Sequence, residues 1–158
     1  MDASVARKIA RAGHGAQRDR FGKPVIDHVE RVAAAVTADA RTTALLHDVL
    51  ERTDVSVDDL RREGLTSTEL EALQLLTRRP DEPFELHVLE IEHARGPQGR
   101  LARCVKLADL EDHLARGWAP AGAPAYAWAR RHIAVGRERY DGAEDRLPPP
   151  MTVTAPAA

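Results

Sequence analysis

The stretch Thr43-Ala44-Leu45-Leu46-His47-Asp48-Val49-Leu50-Glu51-Arg52-Thr53-Asp54 decides how this chain is read. At helical spacing Ala44, Leu45, Val49 and Leu50 form a broad apolar surface, the pattern of a helix buried on one side. A neighbouring His-Asp pair on such a surface is unusual, because a buried carboxylate is costly unless it is paired or bound to a metal. Glu51 follows Asp48 by three residues and His47 by four, so the three side chains can share one helix face. The expectation is a helix over about 40–52 that carries an imidazole and two carboxylates on that face. Alone, the dipeptide is a weak signal, since a half-buried histidine is more often structural than a ligand. The weight falls on what other segments bring.

On either side the chain repeats amphipathic helical patterns. A first helix is expected over about 3–17, with Val5, Ile9 and Ala12 or Ala16 inward, broken by Phe21-Gly22-Lys23-Pro24. A second over about 27–38 takes Asp27 as N-cap, puts His28 in its first turn and buries Val29, Val32, Ala33 and Val36. Ser56 caps a short helix reaching Glu63, with Gly64 as its stop. Ser67, Leu70, Leu73 and Leu76 mark another helix, ended before Pro80, and Asp81-Glu82-Pro83 is a loop. Helices follow over about 84–94, 101–115 and 125–140, separated by a turn at 95–99 and a loop at 117–124. The Pro/Ala-rich end, 146–158, reads as a disordered tail behind a single domain at 1–145.

Composition narrows the class. With 158 residues the chain can bury a real core as one domain, and only 4% of it is aromatic while helix formers abound. The formal net charge of -2, with both signs interspersed, gives no footprint for nucleic acid and no field for a membrane surface. The single Cys104 excludes an internal disulfide framework and fits a reducing cytoplasm. No stretch has the apolar run of a signal peptide or a membrane span. The reading is an all-α, cytoplasmic protein of undetermined oligomeric state.

Two further stretches bring acid or imidazole groups onto apolar surfaces: His28, just after Pro24-Val25-Ile26, and Asp109, within Val105-Lys106-Leu107-Ala108-Asp109-Leu110. With His47 and Asp48 they make two imidazoles and two carboxylates from three helices. Such a nitrogen and oxygen set suits Mn2+ or Fe2+, with Zn2+ also open, and leaves room for water or a phosphate oxygen on an octahedral ion. Spacing alone leaves the alternative standing, in which Asp109 pairs with Lys106 or an arginine. Arg18, Arg20 and Lys23 ahead of His28 can clamp a pyrophosphate or form a solvated basic loop. His14 and Gln17 read as supports, His87, His93 and His132 as ordinary surface histidines, and Trp118 and Trp128 as packing residues.

In order along the chain, these motifs resemble those of HD-domain phosphohydrolases. More narrowly, the chain is similar to RelA/SpoT-type guanosine polyphosphate 3'-pyrophosphohydrolase domains over about 10–114. The match is carried by His14-Gly15-Ala16-Gln17 with Gly22-Lys23-Pro24-Val25-Ile26-Asp27-His28, then Leu45 to Glu51, then Val105 to Asp109. Leu76-Thr77-Arg78-Arg79-Pro80 and Glu82-Pro83-Phe84 look like a segment of the small single-domain members. The resemblance implies an HD-domain bundle of about seven to eight helices holding one divalent metal, usually manganese, through His28, His47, Asp48 and Asp109. It implies cleavage of a phosphoester on a nucleotide's ribose, with Glu51 receiving or orienting the water's proton.

The chain also departs from that pattern. Arg52 stands where the family follows its catalytic Glu with Asp; a cation there can bind substrate phosphate but cannot replace a carboxylate in proton transfer. Asp19 takes the place of a basic residue, Val25 of a Tyr, and His113 of the Asn four residues past the last metal ligand. Glu51 and Arg52 are therefore the expected catalytic pair, and Arg18, Arg20, Lys23, Lys106 and His113 the expected substrate contacts. The favoured substrate is guanosine tetra- or pentaphosphate. The alternatives are a phosphatase on another phosphorylated ribose, such as the 2'-phosphate of NADPH, or a weakly catalytic sensor of metal and nucleotide. No synthetase-like domain fits in the remaining length.

Overall fold

Eight helical segments read from sequence become nine helices among the described residues, because the segment around His47 breaks in the middle. The chain is seen in a computed structural model that describes residues 1–117 and 123–142. Trp118 and the expected tail at 146–158 lie outside the described residues. Helix α1 spans Ala3–His14, capped by the Asp2 carboxylate, which accepts from the Ser4 N–H at 2.7 Å. Its inward face is Ala6, Ala10 and His14, four residues apart and fully buried, whereas Val5 and Ile9 are half-buried and Ala12 and Ala16 exposed. Small side chains suit that face, since α1 lies close upon its neighbours.

Helix α2, Val25–Ala35, starts two residues earlier than its sequence suggests, with Pro24 at the cap position. Proline's fixed φ and missing N–H cost nothing there, so Asp27 falls inside the first turn instead of capping it. Val29, Val32, Ala33 and Val36 are buried as expected. A 3-10 turn, Ala38–Ala40, leads into α3, Arg41–Leu46, and after His47 and Asp48 comes α4, Val49–Arg52. Helices α5, Val57–Arg62, and α6, Ser67–Leu76, each open with a capping box, Ser56 with Asp59 and Thr66 with Glu69. Gly64, at φ +84°, takes the left-handed turn between them.

Helix α7 is Phe84–His93, α8 is Gly96–Ala115 and α9 is Ala123–Tyr140. The expected turn at 95–99 is instead the first turn of α8, with Pro97 among the opening residues that donate no intrahelical bond. The long α8 runs against α9, α6, α2, α7 and α3. Between these helices lie Val29, Val32, Leu45, Leu46, Leu73, Ile91, Val105, Leu110 and Ile133, none with measurable exposure. Arg103 on α8 is 1% exposed and donates to the carbonyls of Ile91, Glu92 and Ala94 at the end of α7. It also binds the Asp141 carboxylate just past α9, so one guanidinium ties three helices together. No strand forms among the described residues, only an isolated bridge between Arg18 and Pro24. No helix there is long and apolar enough to cross a membrane.

Candidate metal centre and its cavity

Three parts of the chain bring His28, His47, Asp48 and Asp109 to one place: α2, the break between α3 and α4, and α8. In an unbroken helix, neighbouring residues project about 100° apart. The break brings His47 and Asp48 together, with His47 Nε2 at 3.5 Å from Asp48 Oδ1. Its local cause is the imidazole itself. His47 Nδ1–H donates to the Ala44 carbonyl at 2.8 Å, taking an acceptor that the next turn of helix would use. Asp48 follows at φ -98° and ψ -6°, in the sparsely populated bridge region where many active-site residues sit.

His28 Nδ1–H donates to Asp112 at 2.8 Å, and its Nε2 lies 3.3 Å from Asp109 Oδ1. Asp112 is itself gripped by Arg31, at 2.7 and 2.9 Å, and by Arg116 at 3.2 Å. A carboxylate behind the ring fixes the tautomer that presents Nε2 as a lone pair, as in metal-bound histidines. His47 has a carbonyl in the same role. Asp109 is held along its own helix, with Lys106 Nζ donating to Oδ2 at 2.9 Å and His113 Nδ1 at 2.8 Å from Oδ1. Asp109 thus pairs with Lys106 and also faces the imidazoles.

Burial by itself would raise the Asp109 pKa, but Lys106, His113 and His28 hold it well below the usual carboxylate range. Burial likewise works against ionised Asp48, and His47 with Arg52 outweigh it. Burial lowers the His47 pKa, against the pull of Asp48 and Asp109. His28 is pushed the other way: burial opposes its charge, yet Asp109 and Asp112 raise its pKa. The surplus of negative charge beside His28 is what a cation would answer. Two buried atoms here, His47 Nε2 and Asp109 Oδ1, make no hydrogen bond, a costly state that a metal relieves. Two groups of donors, His28 with His47 and Asp48 and His28 with Asp109 and His113, each lie within 4.8 Å of one another. These residues fit a divalent ion.

The centre opens onto a cavity of about 410 Å3 whose walls include Glu51, Arg52, Arg78, His87, Lys106 and Tyr126. Glu51 is exposed to it and accepts a hydrogen bond from the Arg78 backbone N–H at 3.1 Å. Arg52 pairs with the outer oxygen of Asp48 at 3.1 Å. Phe84 and Tyr126 meet edge to face on the far wall, and Tyr126 stacks on His113. Arg18, Arg20 and Lys23 sit on the loop before α2. Lys23 lines a second cavity, about 360 Å3, with Asp19, Phe21, Arg31 and Arg116, and Arg20 lies over the Phe21 ring. Gln17 donates to the Arg52 carbonyl at 2.6 Å and accepts at Oε1 from His14, so this pair props the end of α4.

Sequence reasoning missed three residues of this neighbourhood. Asp112 lies one helical turn past Asp109, a spacing that could have flagged it. His87 is not a surface histidine: it is buried, lines the cavity and faces Glu82 at 3.5 Å. Its position four before Ile91 on α7 was the available signal. Tyr126 gave none. His132 is half-buried, bonded to buried Glu92 and tilted against the Trp128 ring at 38°.

No family model and no curated protein matches the sequence. Among solved structures, a metazoan ortholog of SpoT that hydrolyzes ppGpp and plays a role in starvation responses superposes at a TM-score of 0.67. The match covers 85% of this chain and 84% of that one, at 22% identity. The chain has the SpoT-type fold. That fold is all-α, as the sequence motifs imply, and the likeness spans most of both chains. In this chain the fold sets α2, the α3–α4 break and α8 around the imidazoles and carboxylates.

Proposed function

We propose that this protein is a metal-dependent phosphohydrolase acting on a ribose-linked phosphate or pyrophosphate of a nucleotide, with guanosine tetra- or pentaphosphate as the first candidate. The observation that carries the reading is the convergence of His28 with His47, Asp48 and Asp109, the last three lining a cavity that also holds Glu51 and three cations. The SpoT-type fold, seen in a protein that hydrolyzes ppGpp, supports the same reaction class. His28, His47, Asp48 and Asp109 would hold the ion, Mn2+ first and Fe2+ or Zn2+ as alternatives. A dication bound there supplies a water of lowered pKa and neutralises phosphate charge.

The protein's own groups do the rest. Glu51 reaches the cavity from α4 and takes the proton, its carboxylate steadied by the Arg78 N–H. Lys106, Arg78 and Arg52 line the same space and would bind phosphate oxygens; Arg52 also orients Asp48. Neutral His87 and the Phe84–Tyr126 wall suit the uncharged part of a nucleotide. Incubating the purified chain with Mn2+ and guanosine tetraphosphate tests the proposal, with release of pyrophosphate as the expected outcome. Orthophosphate released from NADPH would redirect it to the phosphatase. A second reading, a metal and nucleotide sensor, is favoured by Arg52, whose cation stands beside a proposed ligand; binding with no product released would establish it.

A further inference from the structure

Three imidazoles crowd the candidate centre, one more than its sequence motifs account for. The His28 and His47 rings lie 5.3 Å apart, and the His28 and His113 rings 4.7 Å apart, centroid to centroid. All three rings engage an oxygen through Nδ1: His28 with Asp112, His47 with the Ala44 carbonyl and His113 with the Asp109 carbonyl at 2.9 Å. A donated Nδ1–H leaves Nε2 of a neutral ring as a lone pair, the form in which imidazole binds a metal. His113 is also one of the three donors of the second group, with His28 and Asp109.

The same Nδ1 that bonds the Asp109 carbonyl also lies 2.8 Å from Asp109 Oδ1, which fixes the ring against that carboxylate. Donor atoms that share one ion through bonds of about 2.1 Å stand roughly 3 Å apart when adjacent in its shell. The 3.3 Å between His28 Nε2 and Asp109 Oδ1 sits near that separation, and the His113 ring lies on the same side of the pair. Tyr126, stacked at 5.4 Å with planes 29° apart, holds the His113 ring on this side.

We infer that His113 is a further protein ligand of the cation, making the centre a set of three imidazoles and two carboxylates. The inference rests on the proposed metal centre but not on the nucleotide. It has two chemical consequences. A nitrogen-rich set moves preference toward Fe2+, Co2+ or Zn2+ relative to Mn2+. Five protein donors also leave an octahedral ion one position, not two, for water or a phosphate oxygen.

The test is made on the metal-free full chain without substrate. Co2+ and Zn2+ are titrated against a chromophoric chelator for the wild type, His113→Asn and His113→Gln, with circular dichroism reporting the fold. The expected result is a loss of affinity beyond about 100-fold, more than removing a group behind a ligand costs. The cobalt visible spectrum should change with it. Equal affinity and an unchanged spectrum overturn the inference. X-ray absorption on the zinc-loaded wild type decides without any variant: three imidazoles support it and two sink it. A wild type whose metal needs His113 but which hydrolyses no nucleotide leaves this inference intact and removes the function proposed above.

Discussion

Asp112 shows how much of the centre's order comes from residues that would not touch the ion. Its carboxylate accepts from His28 and from two arginines, and these partners hold its pKa far below the usual range although burial opposes them. Asp112→Ala should weaken metal binding about 10- to 100-fold while every proposed ligand remains. Competition with a chelator would measure it, and unchanged affinity would mean that His28 needs no fixed tautomer. Glu51→Gln separates the other role: turnover should fall about 10²- to 10⁴-fold with metal content unchanged. At this scale, His47, Asp48 and Asp109 were legible because each is a polar group on an apolar stripe. His87 was not, because its burial depends on the chain around Glu82 and Lys106, which folds against it from elsewhere.

At the scale of elements, caps and stripes were readable and a break was not. Ser56 and Gly64 bound α5 as their chemistry predicts, and α2 buries the four residues its spacing picks out. Leu45 to Arg52 reads as continuous helix because every residue in it tolerates helix; the interruption comes from one imidazole claiming a carbonyl. The start of α8 was hidden for the opposite reason: Gly96 and Pro97 look like a turn, and Gly96 does turn at φ +72°, but Pro97 suits a helix's first residues. Close approach there can be tested. A Cβ on Gly99 would stand 2.4 Å from the Ala94 carbonyl oxygen, and one on Gly136 2.7 Å from that of Glu92. Each Gly→Ala change should cost about 1–3 kcal/mol, because backbone blocks the new methyl. Thermal unfolding would record a drop of about 2–4 °C per kcal/mol. Gly142→Ala, with its nearest obstacle at 3.9 Å, is the control expected to show no loss.

For the molecule as a whole, acid stability between pH 6.5 and 4 is governed by its buried histidines. His87 is pushed down from 6.5 to about 4, first by burial and then by Lys106 and Arg78. The unfolded chain takes its proton near 6.5, whereas the folded chain refuses it until about 4. This contribution is therefore complete above pH 6.5 and is lost as pH falls toward 4. His47, lowered by burial, acts in the same direction. His28, raised by Asp109 and Asp112 against its burial, acts in the opposite one: its stabilisation is full below 6.5 and is lost as pH rises through its raised value. Asp48, Asp109 and Asp112 have lowered values, so what they contribute disappears only below the ordinary carboxylate range. Replacing His87 with Gln removes one proton linkage and leaves the others. In urea unfolding of the metal-free chain, the wild type should lose about 3 kcal/mol more than His87→Gln between pH 7 and 4, at about 1.4 kcal/mol per pH unit. Parallel curves for the two proteins would mean that His87 accepts its proton while folded, and the neutral wall assigned to the nucleotide cavity would then be a charged one.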